Sequence, residues 1–311
     1  MLSVLDALIP VFLVIMAGAV LKRLGFPGGD FWPLAERFTY FFLFPVMLIS
    51  KMANAKIAEV ALDQLALAIV LLLALMTGLL VLLKPLLTTS GPSFTSIYQG
   101  ALRFNTYVVL AAAQALYGSK GLTVAAVSMA IMIPLINVLC VLIFSAYAGG
   151  KSAGWLSTIK VIAKNPLIVG CVVGISLNLL GIGLPSWSGQ AFDIISRAAL
   201  PLGLLAVGVA LDIKALQGAS WPLVSSSILK LFVMPVMALL VGSFLALEPL
   251  MLSVLILFSA MPTATSAYIL ARQLGGDAPL MAAITTAQTL LAMLTLPLVL
   301  QWLPLLQAMW E

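Results

Sequence analysis

The sequence contains no histidine, and only 8% of its 311 residues are charged. The missing histidine removes the commonest general base and the commonest metal ligand, so hydrolytic chemistry and zinc chemistry are poor interpretations. A soluble domain carries about 25% charged residues to cover its surface, and this chain cannot do so. The sequence also has no Gly-rich phosphate-binding loop and therefore offers no site for ATP.

Cysteine is equally scarce. Cys140 and Cys171 have no CxxC spacing, and both lie within apolar runs. Free buried thiols are the ordinary interpretation, so we expect no metal site. A membrane-embedded enzyme would need a paired carboxylate or a Ser–base dyad in the membrane, and neither is visible. We therefore expect no catalytic residues, no cofactor and no enzyme activity.

What the sequence has in quantity is hydrophobic residues, which make up 63% of the chain, with a mean hydropathy of +1.21. About 20 apolar residues cross a bilayer as one helix. The apolar runs predict an all-α integral membrane protein with ten transmembrane helices, near 3–22, 35–53, 62–83, 93–116, 122–147, 163–182, 190–211, 223–246, 249–271 and 279–303.

The chain also resembles itself at an offset of 156 or 157 residues. The matched pairs include Pro10 and Pro166, Gly18 and Gly174, Gly25 and Gly181, Pro45 and Pro201, Thr106 and Thr263, and Gly118 and Gly275. The repeat predicts two five-helix units, residues 1–148 and 149–311. Because five is odd, the second unit enters the membrane inverted, as in many secondary transporters.

The distribution of Lys and Arg predicts the orientation. With the N-terminus outside, the short inner connections receive Lys22, Arg23, Arg37, Lys84, Lys151, Lys160, Lys164, Lys214 and Arg272, and the outer ones receive Lys51, Lys56 and Lys120. This bias places both termini outside the cytoplasm of a multi-pass inner-membrane protein. The net charge of +5 therefore reflects topology, and we expect no nucleic-acid partner.

Polar residues interrupt the fourth and ninth predicted helices. The fourth contains Arg103, Asn105 and Thr106, and the ninth runs from Pro262 through Thr263 to Ser266. Pro262 cannot continue a helix and is predicted to be the first residue of a new half-helix. Two breaks at matched positions of a repeat indicate a binding site at the membrane midplane. The alternative is a pair of ordinary kinks.

Three further side chains are candidates because polar groups in the membrane are costly. Arg103 either serves the site or extends toward the cytoplasmic interface, and Asn137 either lines the site or bonds to a neighbouring helix. Lys230 has no acid within one helical turn, so it must find a partner on another helix, face a water-filled cavity or carry no charge. We expect it to balance the negative charge of the substrate. Asp193 and Arg197, four residues apart, predict a self-neutralising pair.

Two motifs carry a resemblance to a known family. The run Lys164-Asn165-Pro166 and the stretch from Met261 to Ala264, together with the paired breaks, resemble the auxin efflux carrier family, with its bacterial malate and malonate permeases the more similar branch. The resemblance implies two inverted five-helix repeats, with broken fourth and ninth helices that cross to hold a carboxylate. It also implies that Asn105 and Pro262 are the crossover residues.

These observations predict a secondary transporter of a small organic anion that works by alternating access. The predicted substrate-binding residues are Asn105, Thr106, Pro262, Thr263, Ser266, Arg103, Lys230 and Asn137, with no metal ligands. The alternatives are a sodium-coupled symporter of the bile-acid type, a channel or a membrane-embedded enzyme. The expected partners are a carboxylate and the lipid bilayer. A homodimer is compatible with the sequence, which does not fix the oligomeric state.

Overall fold

The apolar runs fold into helices, because backbone groups in lipid must find hydrogen-bond partners within their own segment. The structure, a computed structural model, describes residues 2–55, 61–148, 164–217 and 220–307. These residues form fourteen α-helices and no β-strand. The first seven are α1 Leu2–Arg23, α2 Phe31–Phe38, α3 Phe44–Ala53, α4 Leu62–Leu87, α5 Gly91–Leu102, α6 Thr106–Tyr147 and α7 Pro166–Leu179. The others are α8 Ser186–Ser196, α9 Ala199–Ala210, α10 Trp221–Ile228, α11 Met234–Phe244, α12 Pro249–Ala260, α13 Ser266–Leu274 and α14 Ala278–Gln307.

Six helical stretches of the described residues are long and apolar enough to cross a membrane: Val4–Arg23, Leu62–Leu87, Gly91–Tyr147, Trp187–Ala210, Trp221–Phe244 and Ala278–Trp302. The helices α7 and α12 are apolar but shorter. The all-α membrane class is therefore confirmed, whereas the count of ten spans stays a prediction. The predicted boundary between the two units, at residues 148 and 149, adjoins residues 149–163, which lie outside the described residues.

Two continuous helices contain a π-helical turn. Residues Thr39–Leu43 join α2 to α3, and residues Leu229–Val233 join α10 to α11. A π-turn inserts one extra residue per turn into an α-helix and is frequent at functional sites. The second π-turn carries Lys230, which is thereby placed in the interior of the protein.

Matched glycines of the sequence repeat have matched backbone conformations. Gly25 and Gly181 both have φ +68°, and each follows the end of a helix. Gly118 has φ +62° at a kink inside α6, and Gly275 has φ +78° at the end of α13. L-residues rarely adopt positive φ, so glycine is needed at these ends. The matched glycines of the repeat therefore kink or end a helix through a backbone conformation with positive φ.

Helix packing is also reciprocal between the halves. Gly18 of α1 lies against the backbone of Leu205 in α9, where an added Cβ would meet the Leu205 carbonyl. Gly174 of α7 lies against the backbone of Ile49 in α3. Gly174 follows Gly18 by 156 residues, and Leu205 follows Ile49 by the same number. The two contacts therefore correspond under the 156-residue offset of the sequence repeat.

Candidate functional site at the helix crossing

Both predicted interruptions are present, and they touch each other. The first lies between α5, which ends at Leu102, and α6, which begins at Thr106. The second lies between α12, which ends at Ala260, and α13. The backbone N–H of Asn105 donates to the carbonyl oxygen of Pro262 at 2.8 Å. The two broken helices therefore cross at the residues that the sequence repeat matches.

The predicted role of Pro262 as the first residue of a half-helix is wrong. The second half-helix begins only at Ser266, and the chain around Pro262 is not helical. The reason is that the next residue, Thr263, forms hydrogen bonds with other helices and not within a helix of its own. The backbone N–H of Thr263 donates to Gln288 Oε1 at 2.9 Å, and its hydroxyl donates to the Gln99 carbonyl at 3.3 Å. These bonds hold the stretch away from helical geometry.

A buried glutamine on α14 links the elements of the crossing. The amide nitrogen of Gln288 donates to the carbonyls of Gly100 at 3.1 Å and Ser226 at 3.3 Å, while its oxygen accepts from Thr263. Gln99 contributes a further bond, from its amide nitrogen to the Ala267 carbonyl at 3.4 Å. Two interrupted helices leave backbone groups without helical partners, and these side chains satisfy several of them.

Two cavities adjoin the crossing. The first crossing cavity, of about 240 Å³, is lined by Tyr40, Arg103, Phe104, Thr106, Ile133, Ile136, Asn137, Asn165, Leu167, Ala264, Ser266, Ile269, Leu270 and Gln273. The second crossing cavity, of about 370 Å³, is lined by Pro33, Glu36, Arg37, Tyr40, Phe41, Asn105, Thr106, Tyr107, Ala264, Thr265, Ser266 and Ile269. Tyr40, Thr106 and Ser266 line both. Among the described residues, none that lines the first cavity is acidic.

The charge of the first crossing cavity comes from Arg103. Its Nη2 donates to Asn137 Oδ1 at 2.8 Å, so Asn137 on α6 both lines the cavity and binds the arginine in the break. Its Nε is buried and has no hydrogen-bond partner among the described residues. Arg103 also forms no salt bridge within that part of the chain. An uncompensated guanidinium beside a cavity favours an anionic ligand.

Three helix N-termini also meet at the crossing cavities. Asn105 caps α6, because its Oδ1 accepts from the backbone N–H groups of Tyr107 and Val108. Asn165 caps α7 in the same way, accepting from Leu167 and Ile168. Thr265 precedes α13 and makes no capping bond with its side chain. Helix N-termini carry partial positive charge, so all three add to the field of Arg103.

Asn105 forms the N-terminal cap of the second half of the first broken helix. Its side-chain oxygen is occupied by the cap of α6, and its side chain is buried. Asn105 also lines the second crossing cavity, and its amide nitrogen makes no hydrogen bond among the described residues. Asn105 therefore contributes chiefly by positioning the N-terminus of α6.

Three of the predicted site residues are not at the cavity walls. Pro262 and Thr263 are buried in the crossing itself, where they bond to Asn105, Gln99 and Gln288. Lys230 is 0% exposed and lines neither crossing cavity. Its ammonium contacts the Phe258 carbonyl at 3.4 Å and the Met234 sulfur at 3.3 Å. Arg103, Thr106, Ser266 and Asn137 are brought together at the first cavity.

The structure also adds residues that the sequence interpretation missed. Tyr40 lines both cavities, and Gln99 and Gln288 build the crossing. A polar side chain within an apolar span is the signal that would have found the two glutamines. The predicted pair of Asp193 and Arg197 is confirmed at 3.0 Å, and Lys51 joins it at 3.4 Å.

Two broken helices that cross beside polar cavities are a feature of membrane transporters. The family described as "Membrane transport protein" matches residues 3–300, and the chain belongs to this family. The resemblance to the auxin efflux carriers is thereby confirmed.

Named relatives agree with this membership. The chain is 32% identical over 156 residues to "Uncharacterized transporter YfdV" of Escherichia coli strain K12. That match spans 49% of each chain, so it covers about half the length of this relative. This chain is also 24% identical over 296 residues to an "Uncharacterized transporter" of Methanothermobacter thermautotrophicus. That match covers 94% of this chain and 96% of the relative. The relatives are transporters and not enzymes.

Proposed function

We propose that this protein is a secondary transporter that moves a small organic anion, a carboxylate, across the inner membrane by alternating access. One observation carries the proposal: Arg103, which forms no salt bridge among the described residues, lines a cavity without acidic residues. A carboxylate supplies the missing counter-charge, since arginine binds carboxylates with two parallel hydrogen bonds.

The polar groups around the cavity suit such a ligand. Arg103 supplies the charge, and the hydroxyls of Thr106 and Ser266 supply hydrogen bonds. The N-termini of α6, α7 and α13 supply the dipole field. A volume of about 240 Å³ accommodates a small organic acid and is below the usual range for drug-sized ligands. The apolar side of the cavity, formed by residues such as Ile133 and Ile136, suits a short carbon chain.

Alternating access requires an architecture that can open to either side. We propose two inverted five-helix units, residues 1–148 and 149–311. The reciprocal contacts of Gly18 and Gly174 support a two-fold relation, and so do the matched positive-φ glycines. The crossing cavities lie on the side where α2 and α7 begin. The bias of positive charge favours the cytoplasm for that side, with both termini on the other.

The proposal predicts that carboxylates stabilise the purified protein. We expect at least one of acetate, malonate, L-malate and succinate to raise the unfolding temperature, because a ligand at 100 times its Kd adds about 2.7 kcal/mol of stability. Malonamide, which has the shape of malonate without its charge, should leave the temperature unchanged. A shift with malonamide equal to that with malonate would contradict an anion site.

A further inference from the structure

Among the described residues, one fully buried lysine has no role in the crossing cavities. Lys230 lies in the π-helical turn Leu229–Val233 and is 0% exposed. Its Nζ reaches two atoms, the carbonyl oxygen of Phe258 and the sulfur of Met234. Phe258 is in the last turn of α12, immediately before the break. The ammonium therefore lies at the C-terminal, partially negative end of a half-helix, where a cation is favoured.

The surroundings of Lys230 contain no counter-ion among the described residues. The elements packed against its π-turn are α5, α10, α11, α12 and α14. In these helices the only titratable side chain is that of Tyr98 on α5, whose hydroxyl bonds to Thr77 at 2.8 Å. A buried ammonium without a carboxylate is costly, whereas the end of α12 favours it. The charge state of Lys230 is therefore sensitive to any further charge nearby.

A chain of contacts connects Lys230 to the lining of the first crossing cavity. The ring of Phe258, whose carbonyl it contacts, packs edge-to-face on the ring of Phe104, with centroids 4.7 Å apart. Phe104 lines the first crossing cavity and follows Arg103 directly. Lys230 Nζ is thus connected to the cavity through one backbone carbonyl and two aromatic rings in edge-to-face contact. A negative charge in this cavity acts on Lys230 through an apolar region, where screening is weak.

We propose that Lys230 is the proton-binding site of the transporter and that anion and proton bind together. When a carboxylate enters the first crossing cavity, the lone pair of the Lys230 amine takes one proton from the aqueous side and forms an N–H bond. A monocarboxylate and its proton then cross with no net charge. This inference rests on the proposed function and adds the coupling ion to it. Binding linkage is reciprocal, so the proton also strengthens the binding of the anion.

The test counts protons during carboxylate binding. Malonate, or whichever of acetate, L-malate and succinate binds best, is titrated calorimetrically into the purified protein in two buffers of different ionisation enthalpy. The titration is repeated between about pH 7 and pH 9, where these acids are ionised. For the wild type we expect proton uptake and a Kd that rises up to about tenfold per pH unit.

Two variants assign the proton. Lys230→Arg keeps the charge permanently, so it should bind carboxylate with no proton uptake and with a Kd independent of pH. Lys230→Gln should also show no pH dependence, with weaker binding. Besides Arg37 and Arg103, the titratable residues in the described linings of the crossing cavities are Glu36, Tyr40 and Tyr107. The variant Glu36→Gln should retain the pH dependence of the wild type.

The outcomes separate the inference from the proposed function. Wild-type binding without proton uptake overturns the role of Lys230 and leaves the carboxylate site in place. The same holds if Lys230→Arg retains the wild-type pH dependence, or if Glu36→Gln loses it. If no carboxylate binds to the wild type, the proposed function itself fails, and the inference fails with it.

Discussion

Replacement of Arg103 by glutamine is expected to weaken carboxylate binding at least about 100-fold, equivalent to about 2.8 kcal/mol. The substitution removes the positive charge from the wall of the first crossing cavity, where no acidic residue offsets it. Glutamine keeps a polar side chain with a hydrogen-bond donor at this position, so the packing of α6 should change little. The measurement is the Kd of malonate, or of the best-binding carboxylate, for the purified variant.

Two further variants make the Arg103 result specific. Arg103→Lys should keep part of the affinity, because a lysine supplies the charge without the two-pronged geometry of the guanidinium. Arg197→Gln removes the same charge from a residue that is exposed and paired with Asp193, and it should bind carboxylate like the wild type. If the two glutamine variants weaken binding equally, net charge and not the cavity governs affinity.

Replacement of Gln288 by leucine is expected to destabilise the crossing by roughly 3–6 kcal/mol. Gln288 bonds to the backbone of Thr263, Gly100 and Ser226, and each buried group left without a partner costs about 1–3 kcal/mol. The expected loss of stability sums the costs of these three backbone groups, and its upper limit is lowered because the crossing can relax. We expect a large fall in unfolding temperature and a loss of monodispersity in detergent.

The same helix offers a matched control. Thr295 lies on α14 and is buried, and its hydroxyl has no hydrogen-bond partner among the described residues. Thr295→Val keeps the shape and removes an unsatisfied polar group, so stability should stay equal or rise. Similar unfolding temperatures for wild type and Gln288→Leu would show that Gln288 does not hold the crossing together.

The membrane class and the positions of the two breaks could be predicted because their signals are local. Scarce charge and long apolar runs predict helices in lipid, and a proline or a capping asparagine marks where a helix stops or starts. The family resemblance implies that Asn105 and Pro262 are the crossover residues, and their backbones are in contact. Gly118 and Gly275 were also paired from sequence, and both have positive φ.

The orientation of side chains at the crossing could not be predicted, because it depends on contacts between helices distant in sequence. Thr263 faces Gln288, 25 residues later, and so turns away from the cavity. Lys230 reaches a carbonyl 28 residues away, because a π-turn and the packing of α12 place it there. Asn165 was recognised only as part of a motif, and its position at the cavity follows from the packing of α7.

The most direct test of the central claim is uptake of radiolabelled carboxylate into proteoliposomes, with the compound that stabilises the purified protein as substrate. The account predicts uptake that saturates with concentration, exceeds that of protein-free liposomes and falls to their level with Arg103→Gln. Uptake by Arg103→Gln at the wild-type rate, or wild-type flux that rises linearly without saturation, would contradict a carboxylate carrier that works through the helix crossing.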